Sequence, residues 1–378
     1  MSNASVWQQA LNVLCVRLDN MGDVLMTTPA LRALKQARPE RRLTLLASRS
    51  GAALGPFLAD IDEVVSYDAP WVKHAAHERA ADLGMVRLLR RSRFDAAVIF
   101  TVYSQSPLPA ALMCRLAGIP LVLAHCRENP YGLLSDWVRE TEPGRGPRHE
   151  ARRQLDLVER AGAFNAEPAL NFTTQARDRR SLREKLAGRG LAPGAGWMVA
   201  HCGASAPSRR YPAGHFGQAL KRIGRRAGVV MLTGDASERA LTSEVGGMCG
   251  AGVPVMDLAG QLSLGELACL IEDAALLLSN NTGPVHLAAA LGTPVVDLYA
   301  LTNPQHTPWR VPHRLLYHDV PCKYCYRSVC PENHHDCLRG VSPESVCEAV
   351  LDLLAETRRP AAGVPRRAPL TELENDAC

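Results

Sequence analysis

The strongest constraint on how this chain can fold is a rhythm. Strand-length apolar runs alternate with helix-length stretches, and the alternation is played through twice. In the first half the runs are 12–18, 42–47, 63–67, 96–101 and 120–125, and the spacing predicts helices over 29–37, 78–91 and 107–117 between them. Leucine-rich and β-branched runs separated by helical periods imply parallel strands joined by right-handed crossovers. A longer amphipathic helix is expected over 149–162, with Arg152, Arg153, Asp156 and Glu159 turned outward. Residues 163–171 are small, polar and proline-bearing, as a linker would be. A helix over 175–189 follows, and then the pattern restarts. Strands are expected at 197–202, 228–233, 254–258, 274–279 and 294–299, with helices at 214–225, 237–249, 264–272 and 284–291. The expected class is therefore α/β, with two Rossmann-like domains facing a central cleft, over 1–165 and 172–357. The proline- and charge-rich tail 358–378 is expected to be loose.

Composition narrows the classes. A length of 378 residues suits two domains, and 47% hydrophobic with 21% charged residues is an ordinary globular balance. No charge-free apolar run of 18 residues suggests a membrane span. Residues 1–9 lack a basic stretch followed by an apolar core, so the cytoplasm is the expected compartment. The net charge of +5 is carried in arginine pairs such as Arg90-Arg91 and Arg225-Arg226. Such pairs are solvated helix faces, or they favour an anionic membrane surface or a phosphorylated acceptor. No aromatic-rich basic groove points to nucleic acid.

Two segments carry chemistry. In 13–31 an apolar run feeds a polar turn, Gly22 and Asp23, and then a helical stretch in which Thr28 can cap and Pro29 can take the first helical position. This places one carboxylate at the carboxyl end of a buried strand, where open α/β sheets present their ligands. Asp23 is either a functional carboxylate or a helix cap. No G-x-G-x-x-G fingerprint accompanies it, which argues against an ordinary dinucleotide dehydrogenase. The second segment, 276–296, reads as a buried strand, the turn Asn280-Asn281-Thr282-Gly283, and a helix opened by Pro284 with Gly283 as its N-cap and Gly292 as its end. Free amides at such a helix start suit a diphosphate. The dipole offers only about half a positive charge, so a cation should help. Arg209 can supply a planar fork, and Gly203, Ala204 and Ser205 can supply amides and a hydroxyl. His286 is a ligand contact or a core histidine.

The block Arg17-Leu18-Asp19, Gly22-Asp23-Val24-Leu25 and Thr27-Thr28-Pro29-Ala30-Leu31 resembles the opening of the bacterial heptosyltransferases, glycosyltransferase family 9. The resemblance extends to Thr282, Gly283, Pro284 and His286, and to Thr233-Gly234-Asp235-Ala236-Ser237-Glu238, so it spans nearly the whole chain. It implies a GT-B architecture with an acceptor-binding first domain and a nucleotide-sugar-binding second domain. It implies an inverting displacement with Asp23 as general base, Glu238 on the nucleotide ribose, and a donor that is ADP-heptose. The acceptor would be a lipopolysaccharide-core or related glycan, or a lipid-linked one, met by peripheral contact with the inner membrane. Two positions depart from the family pattern. Asn281 stands where the family has a donor-contacting aspartate, and Arg209 where it has lysine. Asn281 leaves open another nucleotide sugar, or a small-metabolite acceptor.

Cys322, Cys325, Cys330 and Cys337 form a separate cluster within 322–337, with His334 and His335 nearby. Four sulfurs at this spacing are a structural zinc or iron site, reduced packing thiols, or disulfides. Arg209 and the helix start at Gly283 can replace a divalent cation, so catalysis is expected to need no cofactor. A non-catalytic nucleotide-sugar-binding protein and a redox protein built on the cysteines are the rival classes.

Overall fold

The computed structural model describes residues 6–72, 79–144, 146–165, 167–192 and 194–358. The expected helix start at 78 and nearly all of the expected tail 358–378 lie outside them.

Two sheets of six parallel strands form the frame. The first contains β1 (Asn12–Arg17), β2 (Arg42–Ala47), β3 (Glu63–Ser66), β4 (Ala96–Ile99), β5 (Leu121–Cys126) and β6 (Asp136–Arg139), in the order β3-β2-β1-β4-β5-β6. The second contains β7 (Trp197–His201), β8 (Val229–Thr233), β9 (Val255–Asp257), β10 (Leu277–Asn280), β11 (Val295–Leu298) and β12 (His313–Leu316), in the order β12-β11-β10-β7-β8-β9. The longer helices are α1 (Met21–Ala37), α2 (Arg79–Ser92), α3 (Leu108–Leu116), α4 (Glu150–Glu159), α5 (Ala176–Gly188), α6 (Ala213–Ile223), α7 (Arg239–Cys249), α8 (Leu264–Glu272), α9 (Gly283–Leu291) and α10 (Pro343–Arg358). The alternation read from the sequence is present, and two edge strands, β6 and β12, join it. Asp136 and Arg139 in one and His313 and Arg314 in the other break the sequence, so neither shows the continuous apolar run that marks a central parallel strand.

Strand order decides where ligands can sit. In each sheet the chain reverses its direction of travel once, between β1 and β4 in the first and between β7 and β10 in the second. At such a point the loops leaving adjacent strands part, and open α/β sheets bind ligands there. The segments leaving β1, β7 and β10 are those that carry Asp23, Gly203–Arg209 and Asn281–His286.

The two sheets are not independent bodies. One apolar cluster runs from Val13, Leu25 and Leu31 through Leu155 and Val158 to Leu277, Val285 and Leu287. The segment read as a linker is tied down: Asn171 N donates to Thr28 Oγ1 at 2.9 Å, and Phe172 stacks on Phe57 at 4.6 Å. The second half also caps α4, since Glu150 N donates to the Gln305 carbonyl at 3.0 Å and His149 stacks on Trp309 at 4.3 Å.

Three local expectations are corrected. Helix α1 starts at Met21 with Asn20 as its cap, so Pro29 lies inside it. Proline has no N–H for the Leu25 carbonyl, and Thr28 Oγ1 fills that place at 2.6 Å, which keeps the helix intact. Thr28 is thus a repair within the helix and not its cap. Helix α9 is capped at Thr282, one residue before the expected Gly283. Arg153, expected to face outward, is fully buried, donating through Nε to Glu140 at 3.1 Å.

Candidate active site

Strand β1 ends in a fully buried arginine. Arg17 reaches Asp19 at 3.1 Å, Asp23 at 3.2 Å and Glu150 at 2.8 Å. Burial of a lone guanidinium would disfavour its charge, but the three carboxylates outweigh that and hold Arg17 above its ordinary pKa. Glu150 is held below the ordinary carboxylate range against its own burial, by Arg17 and Arg153. Asp19 goes the other way. Burial and the neighbouring Asp23 push it up to about 6, despite Arg17 and a 2.6 Å hydrogen bond from Gln105.

Asp23 occupies the first turn of α1, where its Oδ2 accepts from Asn20 N at 3.1 Å. Asp23 is therefore not the helix N-cap, which is Asn20, but the residue that closes the capping box from the third helical position. The same carboxylate bonds Arg17 and keeps 15% side-chain exposure, against 0% for Glu150. A cavity of about 300 Å³ opens at the first sheet's switch point, lined by Leu18, Asp19, Trp71, Thr101, Gln105 and Pro107 among others. Asp19 lines it and Asp23 does not.

At the second switch point Asn280 organises the loop after β7. Its amide donates to the carbonyls of Cys202 (2.7 Å) and Gly203 (3.2 Å), and its Oδ1 accepts from Tyr211 N at 3.0 Å. This spreads Gly203, Ala204 and Ser205 beside the start of α9. A Cβ on Gly203 would stand 1.9 Å from Glu238 Oε1, so the ribose-assigned glutamate lies directly over that loop. Glu238 also accepts from Asp235 N at 2.9 Å. Arg209 closes the loop half-buried, and among the described residues its guanidinium has no hydrogen-bond or ion-pair partner. It lies near enough to His286, Asp297 and His306 to lower the pKa of each.

Asn281 turns inward. Its Nδ2 donates to Asp297 Oδ2 at 2.9 Å and to the His306 carbonyl at 3.0 Å. Burial raises Asp297 to about 8, with Asn281 and Arg209 acting against it. Thr282 caps α9, and His286 is buried, its ring 6.4 Å from that of His306. Burial, then His306, pushes His286 down to about 3, and burial likewise lowers His306. Among the described residues each keeps a buried ring nitrogen without a partner, Nδ1 in His286 and Nε2 in His306.

The halves meet at the first turns of α1 and α9. A Cβ on Gly22 would fall 2.7 Å from His286 Cδ2, and one on Gly283 would fall 2.6 Å from Met21 Cε. At Gly22 the obstacle is a buried ring, so the contact requires glycine there, whereas at Gly283 the flexible end of Met21 could swing aside. Sequence reading missed Arg17, Asp19, Glu150, Asn280 and His306 as site residues. Arg17 and Asp19 stood in the quoted motif without a role, whereas Glu150 and His306 lie in segments whose proximity only the fold reveals. Cys322 Sγ lies 3.6 Å from His334 Nε2, yet among the described residues no group of three or more His, Cys, Asp or Glu side chains is placed to hold a metal ion.

Two parallel sheets whose switch-point loops face one another define a two-lobed α/β protein, and its family follows from comparison with known proteins. The family model described as glycosyltransferase family 9 (heptosyltransferase) matches residues 83–335, and the chain belongs to that family. It is 26% identical over 372 residues to lipopolysaccharide heptosyltransferase 2 of Salmonella typhimurium, covering 92% of this chain and 99% of that one. A family 9 glycosyltransferase from Veillonella parvula superposes with a TM-score of 0.76 at 21% identity, covering 94% of this chain and 100% of that one. The ADP-heptose lipopolysaccharide heptosyltransferase II of E. coli gives 0.72 at 21%, covering 92% and 99%. The architecture is GT-B. No helix among the described residues is long and apolar enough to cross a membrane.

Proposed function

We propose that this glycosyltransferase moves heptose from ADP-heptose to a lipopolysaccharide-core or related lipid-linked glycan with inversion, at the cytoplasmic face of the inner membrane. The first domain, 1–165, takes the acceptor and the second, 172–357, the donor. The observation that carries the reading is the contact of α1 with α9, which sets Asp23 next to the helix start expected to hold a diphosphate. The acceptor hydroxyl attacks the anomeric carbon as Asp23 receives its proton, and the C–O bond to the diphosphate breaks on the opposite face. A carboxylate is a weak base toward an alcohol, so proton transfer accompanies bond formation. Arg209 and the positive helix start at Gly283–His286 meet the charge that builds on the departing ADP. That supply of positive charge stands in for a divalent cation, so transfer is proposed to need no metal. Gly203, Ala204, Ser205 and Glu238 hold the nucleotide.

Asp19 supports a second assignment of the base, because it lines the cavity and burial raises its pKa to about 6, above that of an ordinary carboxylate. Titration with ADP, UDP, GDP and CDP, followed by turnover of Asp23→Asn and Asp19→Asn, tests both. We expect preference for ADP, and a turnover loss of roughly 10²–10⁴-fold in Asp23→Asn with ADP affinity kept. If Asp23→Asn retains turnover while Asp19→Asn abolishes the acidic limb of the pH profile, the base is Asp19. Preference for another nucleotide replaces the donor.

A further inference from the structure

The outer surface of the first sheet carries leucines where solvent-facing helices ordinarily carry polar groups. On α2, Leu83 is 59% and Leu88 41% exposed, and on α3, Leu112 is 47% and Leu116 51% exposed. The opposite sides of both helices share one core cluster, through Met85, Leu89, Ala111 and Cys114. Arg90 Nη2 donates to the Leu116 carbonyl at 2.9 Å, so the two helices lie side by side and turn their exposed leucines to solvent on the same side of the sheet. Arg87, Arg91 and Arg93 stand exposed around them, and among the described residues none has an ion-pair or side-chain hydrogen-bond partner. Asp82 is the only acidic residue in either helix, and it is bonded to Tyr67. Helix α3 continues from Pro107, Pro109 and Ala110, which line the cavity beside Asp19.

We propose that the outer faces of α2 and α3 form a docking surface for an anionic phospholipid bilayer. Leucines at this exposure enter the interface between headgroups and acyl chains, while arginine forks bind lipid phosphates. A predominantly basic rim fits a negative lipid surface and disfavours a second copy of this chain, which would set arginine against arginine. Because α3 leads from this surface to the cavity, docking brings the cavity to the height at which a lipid-anchored glycan is presented. The inference rests on the lipid-linked acceptor of the proposed function, and it assigns the surface that meets the lipid.

The test is cosedimentation of the full chain with phosphatidylglycerol–phosphatidylethanolamine vesicles and with phosphatidylcholine vesicles, with ADP calorimetry on the same preparations. We expect pelleting on the anionic vesicles that weakens as salt is raised. Each arginine neutralised should cost about fivefold in binding, from the usual contribution of a basic residue near an anionic surface. Arg87→Gln/Arg91→Gln should therefore bind at least tenfold more weakly, as should Leu112→Gln/Leu116→Gln. ADP affinity should be unchanged in all of them. Equal binding of the variants, equal binding to neutral vesicles, or a dimer in light scattering that the leucine substitutions dissolve would overturn the surface. Loss of ADP binding in the parent chain with vesicle binding intact would overturn the transferase reading and leave the surface standing.

Discussion

Arg17 is the residue on which the first half of the site depends. It is fully buried and holds three carboxylates, one of them the assigned base. A buried ion pair adds little net stability when intact, but removing one partner strands the others. Arg17→Ala should therefore destabilise the fold by about 3–5 kcal/mol in urea titration, chiefly through the unpaired Glu150. Arg17→Lys should recover only part of this, since an ammonium cannot reproduce the fork that spans three acids. A loss below about 1 kcal/mol for Arg17→Ala would show that water reaches Glu150. The sequence made Asp23 legible because Gly-Asp before a helix is a local pattern. It could not make Arg17 legible, since the partner that defines its role lies far along the chain at Glu150.

Among the elements, α1 and α9 decide how the lobes meet. Alanine is a better helix former than glycine, by about 1 kcal/mol, so Gly22→Ala would stabilise α1 taken alone. The 2.7 Å approach of its Cβ to His286 Cδ2 forbids that gain. We expect Gly22→Ala to lower the melting temperature and turnover together. In the double variant with His286→Ala the melting temperature should be no lower than in His286→Ala alone, because the steric term then disappears. Additive losses would place the strain elsewhere. Central strands and their helices were readable from apolar periodicity alone. The edge strands β6 and β12 were not, because Asp136 and Arg139 in one and His313 and Arg314 in the other break the apolar run that the equally half-buried edges β3 and β9 keep. The true start of α1 was hidden by Pro29, whose missing N–H is compensated by a side chain.

For the whole molecule, the buried titratable groups set how stability depends on pH. His125, His149 and His201 are pushed down to about 4 and His286 to about 3, chiefly by burial, and His306 is lowered too. Unfolding lets each take a proton near its ordinary value of about 6.5, so the unfolded chain binds more protons below that pH and stability falls on acidification. Asp297, raised to about 8, and Asp19, raised to about 6, act oppositely: the folded chain keeps protons that the unfolded chain releases, and stability falls as pH rises toward 8. Five histidines against two acids predict a steep decline from about pH 6.5 down to 4 and a shallow one from about pH 7 to 8. Melting temperatures across pH 4.5–8.5 check this, and a flat profile between about pH 5 and 7 would contradict it. The meeting of α1 and α9 has one more consequence. Asp23 in the first turn of α1 neutralises the positive end of that helix, whereas the start of α9 carries no acid, so of the two poles only that of α9 attracts an anion. The seam between the lobes is thus polarised, with a wall that repels phosphate on one side and a wall that draws it on the other.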